Sequence, residues 1–183
     1  MSTPQASGLT IADLEAYPDD GVKREIIGGE LFVSPKGVRR HQRVIALLSK
    51  YLTDWALEHG GEVYAEPDVH CSDRDGVVPD VVLVSADTEA TLAPDVIDRA
   101  PDLIVEVSSP STRGHDLVRK RALYEAHGVA EYWFADLDAD RIEVYRLIDG
   151  AYPPPTIVER GDAVAPPHLP GLRVTVDEAL GLS

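Results

Sequence analysis

The feature that most constrains the fold is a short apolar segment, Leu103-Ile-Val-Glu-Val107, that contains one acidic residue. Four of these five residues are apolar, which predicts a strand buried inside a sheet. An ionised carboxylate is costly to bury unless a cation or a hydrogen-bond donor meets it, so Glu106 needs a partner. The polar stretch Ser108 to Thr112, which contains a proline, then ends the strand.

A second apolar segment has the same character. The run Val77-Val-Pro-Asp-Val-Val-Leu-Val84 contains one carboxylate, Asp80, directly after a proline, and predicts a strand over Val78–Val84. Two buried strands with one acid each can bring two carboxylates together. Paired carboxylates are the ligands of a hard cation such as Mg²⁺, so the two segments outline a metal site.

The segment after the Glu106 strand predicts a helix from His115 or Asp116 to His127. Asp116 and Lys120 lie four residues apart and therefore share a helix face. A short connection places that face near the end of the strand. A lysine there can orient or help deprotonate a water, or neutralise phosphate charge in a transition state. In the structural alternative, Asp80 only caps its strand and Glu106 only pairs with Lys120.

The remaining pattern predicts an α/β fold with a central mixed sheet. A long helix over about Arg39–His59 follows from apolar residues at three- and four-residue spacing. An N-terminal hairpin forms around Gly28-Gly29, and Ser72–Gly76 is a loop. The other predicted elements are a short helix starting at Thr10, hairpin strands Lys23–Ile27 and Glu30–Val33, a turn at Ser34–Gly37, one strand over Val63–Ala65 and Val69–Cys71 interrupted near Pro67, a short helix around Pro94–Arg99, strands Tyr132–Ala135 and Ile142–Leu147, edge strands Ile157–Glu159 and Leu172–Val174, and a helical turn at Val176–Leu180.

Composition limits the partners and the compartment. The 183 residues predict one domain over 1–183, with 1–9 frayed. Neither a signal peptide nor a membrane span is expected, which favours the cytoplasm. Cys71 is the single cysteine, so a cysteine-based zinc site is excluded. The net charge of -15 opposes nonspecific binding to nucleic acid. Two groups of basic residues are either local positive faces or solvated helix faces: Lys36, Arg39, Arg40, Arg43 and Lys50, and Arg113, Arg119, Lys120 and Arg121.

The ordered motifs resemble a known family. Pro79-Asp80, Leu103-Ile-Val-Glu106-Val-Ser108, Asp116…Lys120-Arg-Ala-Leu-Tyr124 and Glu131-Tyr-Trp133…Asp136 are similar to the Pro-Asp…(Asp/Glu)-x-Lys nuclease superfamily, and most closely to its Uma-two branch of restriction-endonuclease-like proteins. Earlier residues agree with it: Arg24-Glu-Ile-Ile-Gly-Gly-Glu30-Leu, Ser34-Pro35 and His41. The resemblance covers about Val22 to Leu147 and implies a restriction-endonuclease-like core of a mixed sheet flanked by helices.

The resemblance also implies site residues. Asp80 and Glu106 would hold Mg²⁺, which Mn²⁺ can replace. The superfamily's lysine belongs two residues after the second acid, where this chain has Ser108, and Lys120 from the following helix is the candidate replacement. Four further residues are possible accessories: Asp116, Ser108, His41 (either a metal or phosphate contact or a helix-surface or structural residue) and Glu30, which competes with Glu25 as a third acid.

The leading hypothesis is a Mg²⁺-dependent endonuclease that hydrolyses DNA, with Arg113, Arg119 and Arg121 near the backbone and a homodimer for cutting both strands. The alternatives are an inactive nuclease-fold module that binds nucleic acid or protein, and a metal-dependent hydrolase of a small phosphorylated substrate. No organic cofactor is expected. The chain has no glycine-rich phosphate loop, and it has no Ser/His/Asp elbow motif of the kind that hydrolases use.

Overall fold

The computed structural model describes residues 8–18, 20–34, 37–109 and 113–182. The fraying expected at 1–9 therefore falls mainly outside the described residues, as do two residues of the turn expected at Ser34–Gly37. Leu9 lies inside the described part, and its backbone N–H donates to the carbonyl of Gly29 at 3.0 Å.

Helices and strands alternate irregularly along the chain, as expected for a mixed α/β fold. The helices are α1 (Ile11–Glu15), α2 (Arg39–His59), α3 (Ala86–Glu89), α4 (Arg113–His115), a π-helical segment (Asp116–Lys120), α5 (Arg121–His127) and α6 (Val176–Leu180). The strands are β1 (Lys23–Ile27), β2 (Glu30–Ser34), β3 (Glu62–Ala65), β4 (Val69–Ser72), β5 (Asp75–Val77), β6 (Val81–Val84), β7 (Leu103–Val107), β8 (Glu131–Asp136), β9 (Arg141–Arg146), β10 (Thr156–Val158), β11 (Ala163–Val164) and β12 (Val174–Thr175).

The main sheet has six strands in the order β10-β9-β8-β7-β6-β3. Its central pair, β7 and β8, is parallel, and the other neighbours are antiparallel. The connection between the two parallel strands contains α4, the π-helical segment and α5, as a parallel crossover requires. The predicted mixed sheet is thus confirmed, and the predicted Glu106 strand has the bounds of β7.

The two faces of the main sheet bury different partners. Alternate residues of β7, such as Leu103 and Val105, pack with α2 and α6 in one apolar cluster. Ile104, between them, belongs to a second cluster on the opposite face, together with Tyr124 of α5. Glu106 has the same parity as Ile104, so its side chain points to the face that carries α5.

A second sheet has four strands in the order β2-β1-β5-β4. The N-terminal hairpin forms as predicted, but two other predictions about this region are wrong. The chain over 63–71 is not one interrupted strand, because β3 pairs with β6 in the main sheet and β4 pairs with β5 in the second. The predicted loop at Ser72–Gly76 contains the turn of the β4–β5 hairpin and the first residues of β5.

Three smaller predictions also differ from the structure. The strand expected from Val78 begins only at Val81, so Asp80 lies just before β6. The short helix expected near Pro94–Arg99 lies instead at Ala86–Glu89, where the Ser85 hydroxyl caps it by accepting from the N–H of Thr88. Ala163–Val164 forms a strand, β11, that was not predicted. Within the described ranges, no helix combines the length and the apolar character needed to cross a bilayer.

The long helix α2 offers a matched test of the packing. Leu48 is fully buried, whereas Leu57 on the same helix is 81% exposed. We expect Leu48→Ala to lower the free energy of unfolding by about 2 to 5 kcal/mol, because it removes buried atoms and leaves a cavity. Leu57→Ala should change it by less than about 0.5 kcal/mol. Urea unfolding followed by circular dichroism measures both, and equal losses would contradict this packing.

Candidate active site

Strand register brings Asp80 and Glu106 to the same place. Strands β6 and β7 pair antiparallel with Val81 opposite Val105 and Val82 opposite Ile104. Continued by one residue beyond β6, this register sets Asp80 opposite Glu106. The link is closed by a hydrogen bond, because the backbone N–H of Val107 donates to Asp80 Oδ2 at 2.8 Å. Both acids are only 2% exposed.

Lys120 is the cation that meets Glu106. Its Nζ lies 2.9 Å from Glu106 Oε1 and 2.6 Å from Glu25 Oε1. The hydroxyl of Tyr124, one turn further along, donates to the same Glu106 oxygen at 2.6 Å. Lys120 is itself 2% exposed, so its ammonium is compensated by buried carboxylates and not by water.

The helix that carries Lys120 is not a regular α-helix at this point. Asp116–Lys120 forms a π-helical turn between two α-helical stretches, a local feature that often lies at functional sites. Both ends of this turn, Asp116 and Lys120, are buried. Asp116 Oδ1 lies 3.9 Å from Lys120 Nζ, so the predicted shared face exists and points into the site.

Strand β1 contributes two residues: Glu25, which competed with Glu30 for the role of a third acid, and Lys23, which was not predicted as a site residue. Glu25, 1% exposed, accepts from Lys120 and from the backbone N–H of Val78 at 2.9 Å. Lys23, two residues earlier and on the same strand face, has its Nζ 3.3 Å from Asp80 Oδ1. The period-two spacing of Lys23 and Glu25 in a predicted strand is the signal that would have linked them.

The N-terminal turn of α2 supplies the last contact. His41 Nε2 lies 3.2 Å from Asp80 Oδ2, and the residue is 7% exposed. The backbone of Gly37 passes directly over the imidazole, so a side-chain carbon at that position would overlap the ring. His41 is therefore a buried neighbour of Asp80, and not a residue of the helix surface.

These residues surround one cavity of about 380 Å³. Four buried carboxylates line it together with two lysines and the histidine, so both predicted acids and the predicted lysine share one space. The carboxylates and ammonium groups of the lining are Glu25, Asp80, Glu106 and Asp116, and Lys23 and Lys120, while Glu66 stands exposed at its edge.

Burial and charge shift the acids in opposite directions. Burial raises the pKa of Glu106 to about 8, and the nearby charges of Asp116 and Asp80 add to this rise against the opposing charge of Lys120. Burial also opposes ionisation of Asp80, but the hydrogen bond from His41 and the charge of Lys23 outweigh it, so the pKa of Asp80 lies well below its usual range. The two carboxylates therefore differ in their affinity for protons.

The donor set suits a hard cation. When all four buried carboxyls are ionised, they exceed the two ammonium groups by two negative charges, which is the charge that one Mg²⁺ would balance. Below the raised pKa of Glu106 this carboxyl is protonated and the excess is smaller. Across the described parts of the chain, no three His, Cys, Asp or Glu side chains converge on one point as a preformed metal site. Mg²⁺ usually takes one or two carboxylates and fills its other positions with water and substrate oxygens.

Two predicted accessory residues lie elsewhere. Glu30 lies at the turn end of the β1–β2 hairpin, opposite Ile27, and does not line the cavity. Its carboxylate pairs with Arg119 Nη1 at 2.6 Å. Glu25, the competing acid, occupies the site. The hydroxyl of Ser108 accepts from the N–H of Leu137 at 2.8 Å and fixes the end of β8, so it does not line the cavity.

The basic residues expected near a DNA backbone are engaged within the protein. Arg113 pairs with Asp136 at 2.7 Å, and Arg119 pairs with Glu30 and lies over the ring of Phe32. Arg121 lies over the ring of Tyr145. The positive face considered from sequence is thus largely neutralised on this side of the molecule.

A mixed sheet that sets two acids and a lysine in one cavity defines a nuclease-like fold. The solved structures support this class. The chain matches the crystal structure of a putative nuclease belonging to DUF820 from Anabaena variabilis ATCC 29413 with a TM-score of 0.81, covering 95% of this chain and 98% of that one at 17% identity.

The family assignment rests on a separate match. The family model described as "Uma2: Putative restriction endonuclease" matches residues 11–177, and the chain belongs to that family. No curated protein matches the chain.

Replacing Lys120 tests how the buried charges are balanced. Against the cost of burial, Lys120 helps keep the pKa of Glu25 below its usual value. This contribution to stability is present above the unfolded-state pKa and is lost as pH falls through the folded-state pKa. We expect Lys120→Met to lower the free energy of unfolding by about 3 to 5 kcal/mol at pH 8. The loss should be smaller at pH 5, because in the variant the buried carboxyls of Glu25 and Glu106 no longer face an ammonium and can take up protons there.

Urea unfolding at both pH values measures this difference. Lys50→Met is the control, because Lys50 makes an exposed pair with Asp54 and its replacement should leave stability nearly unchanged at both pH values. Equal losses for Lys120→Met at pH 5 and pH 8 would argue against uncompensated buried carboxylates.

Proposed function

We propose that this protein is a Mg²⁺-dependent endonuclease that hydrolyses phosphodiester bonds of DNA. The observation that supports the proposal most directly is that Asp80, Glu106 and Lys120 line one cavity, in which four buried carboxyl groups stand against two ammonium groups. A bound Mg²⁺ would polarise the phosphoryl oxygen and lower the pKa of a water ligand. Membership of a family described as restriction endonucleases supports the same reaction class.

The residues take distinct roles in this proposal. Asp80 and Glu106 would hold the cation, with Lys23 and His41 fixing the Asp80 carboxylate. Lys120 would orient the attacking water or neutralise charge that develops on the phosphate. The water oxygen bonds to phosphorus as one phosphorus–oxygen ester bond breaks. The leaving oxygen takes up a proton, and the products are a phosphate monoester and an alcohol.

An inactive nuclease-fold module remains the second candidate. The observation that favours it is the engagement of Lys120 by two carboxylates, which holds the ammonium away from any substrate. A position two residues after Glu106, where the superfamily pattern has its lysine, is occupied by Ser108. A module of this kind would bind nucleic acid or protein without cutting. The homodimer expected for cleavage of a duplex remains a prediction.

Binding of Mn²⁺ separates metal ligands from other buried acids. We expect Asp80→Asn and Glu106→Gln each to weaken Mn²⁺ binding at least about tenfold and to abolish cleavage of plasmid and single-stranded DNA in Mg²⁺, because each removes a charged oxygen ligand. Isothermal titration calorimetry measures the affinity. The matched control is Glu143→Gln, since Glu143 is a buried acid of the same sheet that pairs with Arg141 outside the cavity.

The combined outcomes distinguish the two candidates. Mn²⁺ binding that depends on Asp80 and Glu106, together with cleavage, supports the endonuclease. Mn²⁺ binding without cleavage by the folded wild-type protein supports the inactive module. No binding, or equal weakening by Glu143→Gln, overturns the assignment of the two ligands. If the endonuclease is supported, Lys120→Ala should lose cleavage and still bind Mn²⁺. Circular dichroism checks the folded fraction of this variant.

A further inference from the structure

A groove of about 690 Å³ adjoins the candidate active site. The cavity and the groove share three lining residues, Gly21, Lys23 and Glu66, so they are continuous along one edge. Glu66 has a φ of 52°, an unfavourable value for a residue other than glycine, and its N–H donates to the carbonyl of Asp80 at 3.1 Å. The strained residue at the junction is thus tied directly to the backbone of a proposed metal ligand.

Part of the groove lining is apolar and aromatic. Ile11, Leu14 and Val22 line it, together with Tyr17, whose residue surface is 40% exposed. The guanidinium of Arg24 lies 5.1 Å from the centre of the Tyr17 ring and is held by two hydrogen bonds to Asp20. An exposed, braced aromatic ring beside a phosphodiester site is the kind of surface on which a nucleobase stacks.

The charges around the groove disfavour a duplex. Every described lysine or arginine that lines the cavity or the groove is already paired with a carboxylate: Lys23 with Asp80, Arg24 with Asp20 and Lys120 with Glu25 and Glu106. The groove wall carries Glu66, Asp68 and Asp95, which repel phosphates. A duplex binds largely through its phosphates, so these surfaces offer it little affinity. Carboxylates do accept hydrogen bonds from base amino groups.

We propose that the groove is a base-binding subsite and that the protein acts on unpaired DNA strands. In this arrangement an unpaired base stacks on Tyr17 while the adjacent phosphodiester enters the cavity. The inference rests on the proposed phosphodiesterase function. One active site suffices to cut a single strand, so the homodimer expected for duplex cleavage is not required for this substrate.

Small phosphodiesters test the subsite without choosing a DNA sequence. Deoxycytidine p-nitrophenyl phosphate, as its 5′ and its 3′ isomer, carries a base, whereas methyl p-nitrophenyl phosphate has the same leaving group and none. In Mn²⁺ we expect kcat/KM to be higher for at least one nucleoside isomer than for the methyl ester. Tyr17→Ala should lower that value about tenfold, as loss of one stacking partner does, and leave the methyl ester unchanged.

Two variants control the measurement. Tyr17→Phe retains the ring and should retain the preference for the base. Ile157→Ala changes a residue that is also 40% exposed but lies on β10, away from the groove, and should have no effect. If Tyr17→Ala lowers hydrolysis of all three esters alike, or of none, the subsite is overturned while the proposed phosphodiesterase function stands.

The proposed function is overturned if neither the esters nor DNA is hydrolysed. A binding measurement tests the subsite in that case. Fluorescence anisotropy in Ca²⁺ then compares a labelled oligodeoxycytidine with a hairpin duplex of equal length. Tighter binding of the single strand that Tyr17→Ala weakens about tenfold supports the subsite on a protein that binds without cutting. Equal binding of both probes, or no effect of Tyr17→Ala, rejects the subsite.

Discussion

The ammonium of Lys120 is the contact on which the site depends. It lies between Glu25, from a strand of the second sheet, and Glu106, from the centre of the main sheet. A single buried cation therefore joins the two sheets and at the same time places three charged groups in one cavity. Because a buried charge without a partner is strongly destabilising, the position of each of these side chains constrains the other two.

This arrangement links stability to chemistry. The network contains more negative than positive charge, and the acid with the raised pKa, Glu106, shares Lys120 with Glu25. Added positive charge in the cavity would favour the ionised form of Glu106 and reduce its dependence on Lys120. The same lysine would then be available to a water or a phosphate. A stable buried network in the free protein is thus compatible with an active role for Lys120 once a cation is present.

Local sequence was sufficient where one segment determines its own structure. The strand around Glu106 was predicted with its observed bounds because Leu103, Ile104, Val105 and Val107 are apolar and the polar turn after them ends the run. Helix α2 was predicted with its bounds because its apolar spacing is regular over 21 residues and Gly60 ends it. Both acids and Lys120 were selected for a related reason, since a charge inside a buried pattern needs a partner.

Long-range pairing decided what local sequence left open. Glu25 and Glu30 lie on the same face of the β1–β2 hairpin at different distances from its turn, and which of them meets the cavity depends on how the second sheet packs against the π-helical turn. The segment from Asp75 was predicted as a loop because Ser-Asp-Arg-Asp-Gly is typical of turns, yet β5 gains its stability by pairing with β1 and β4. No residue of Asp116–Lys120 favours a π-turn by itself, so that turn could be found only in the structure.

Outside the cavity, many of the basic side chains are also paired with carboxylates. Among the described residues, ten lysine and arginine side chains form ion pairs with carboxylates, out of 17 in a sequence whose net charge is -15. These side chains are Lys23, Arg24, Arg40, Lys50, Arg113, Arg119, Lys120, Arg141, Arg146 and Arg160.

Affinity for nucleic acid usually grows with the number of phosphates that a protein neutralises, because each contact releases counterions. A protein in which most lysine and arginine side chains already pair with carboxylates gains little binding free energy from contacts to phosphates. It must hold a strand through its bases and through a cation at the reacting phosphate. In the proposed function, an exposed tyrosine beside a carboxylate-rich cavity would supply the protein's part of both contacts, and this would make the negative charge of the chain compatible with a nucleic-acid substrate.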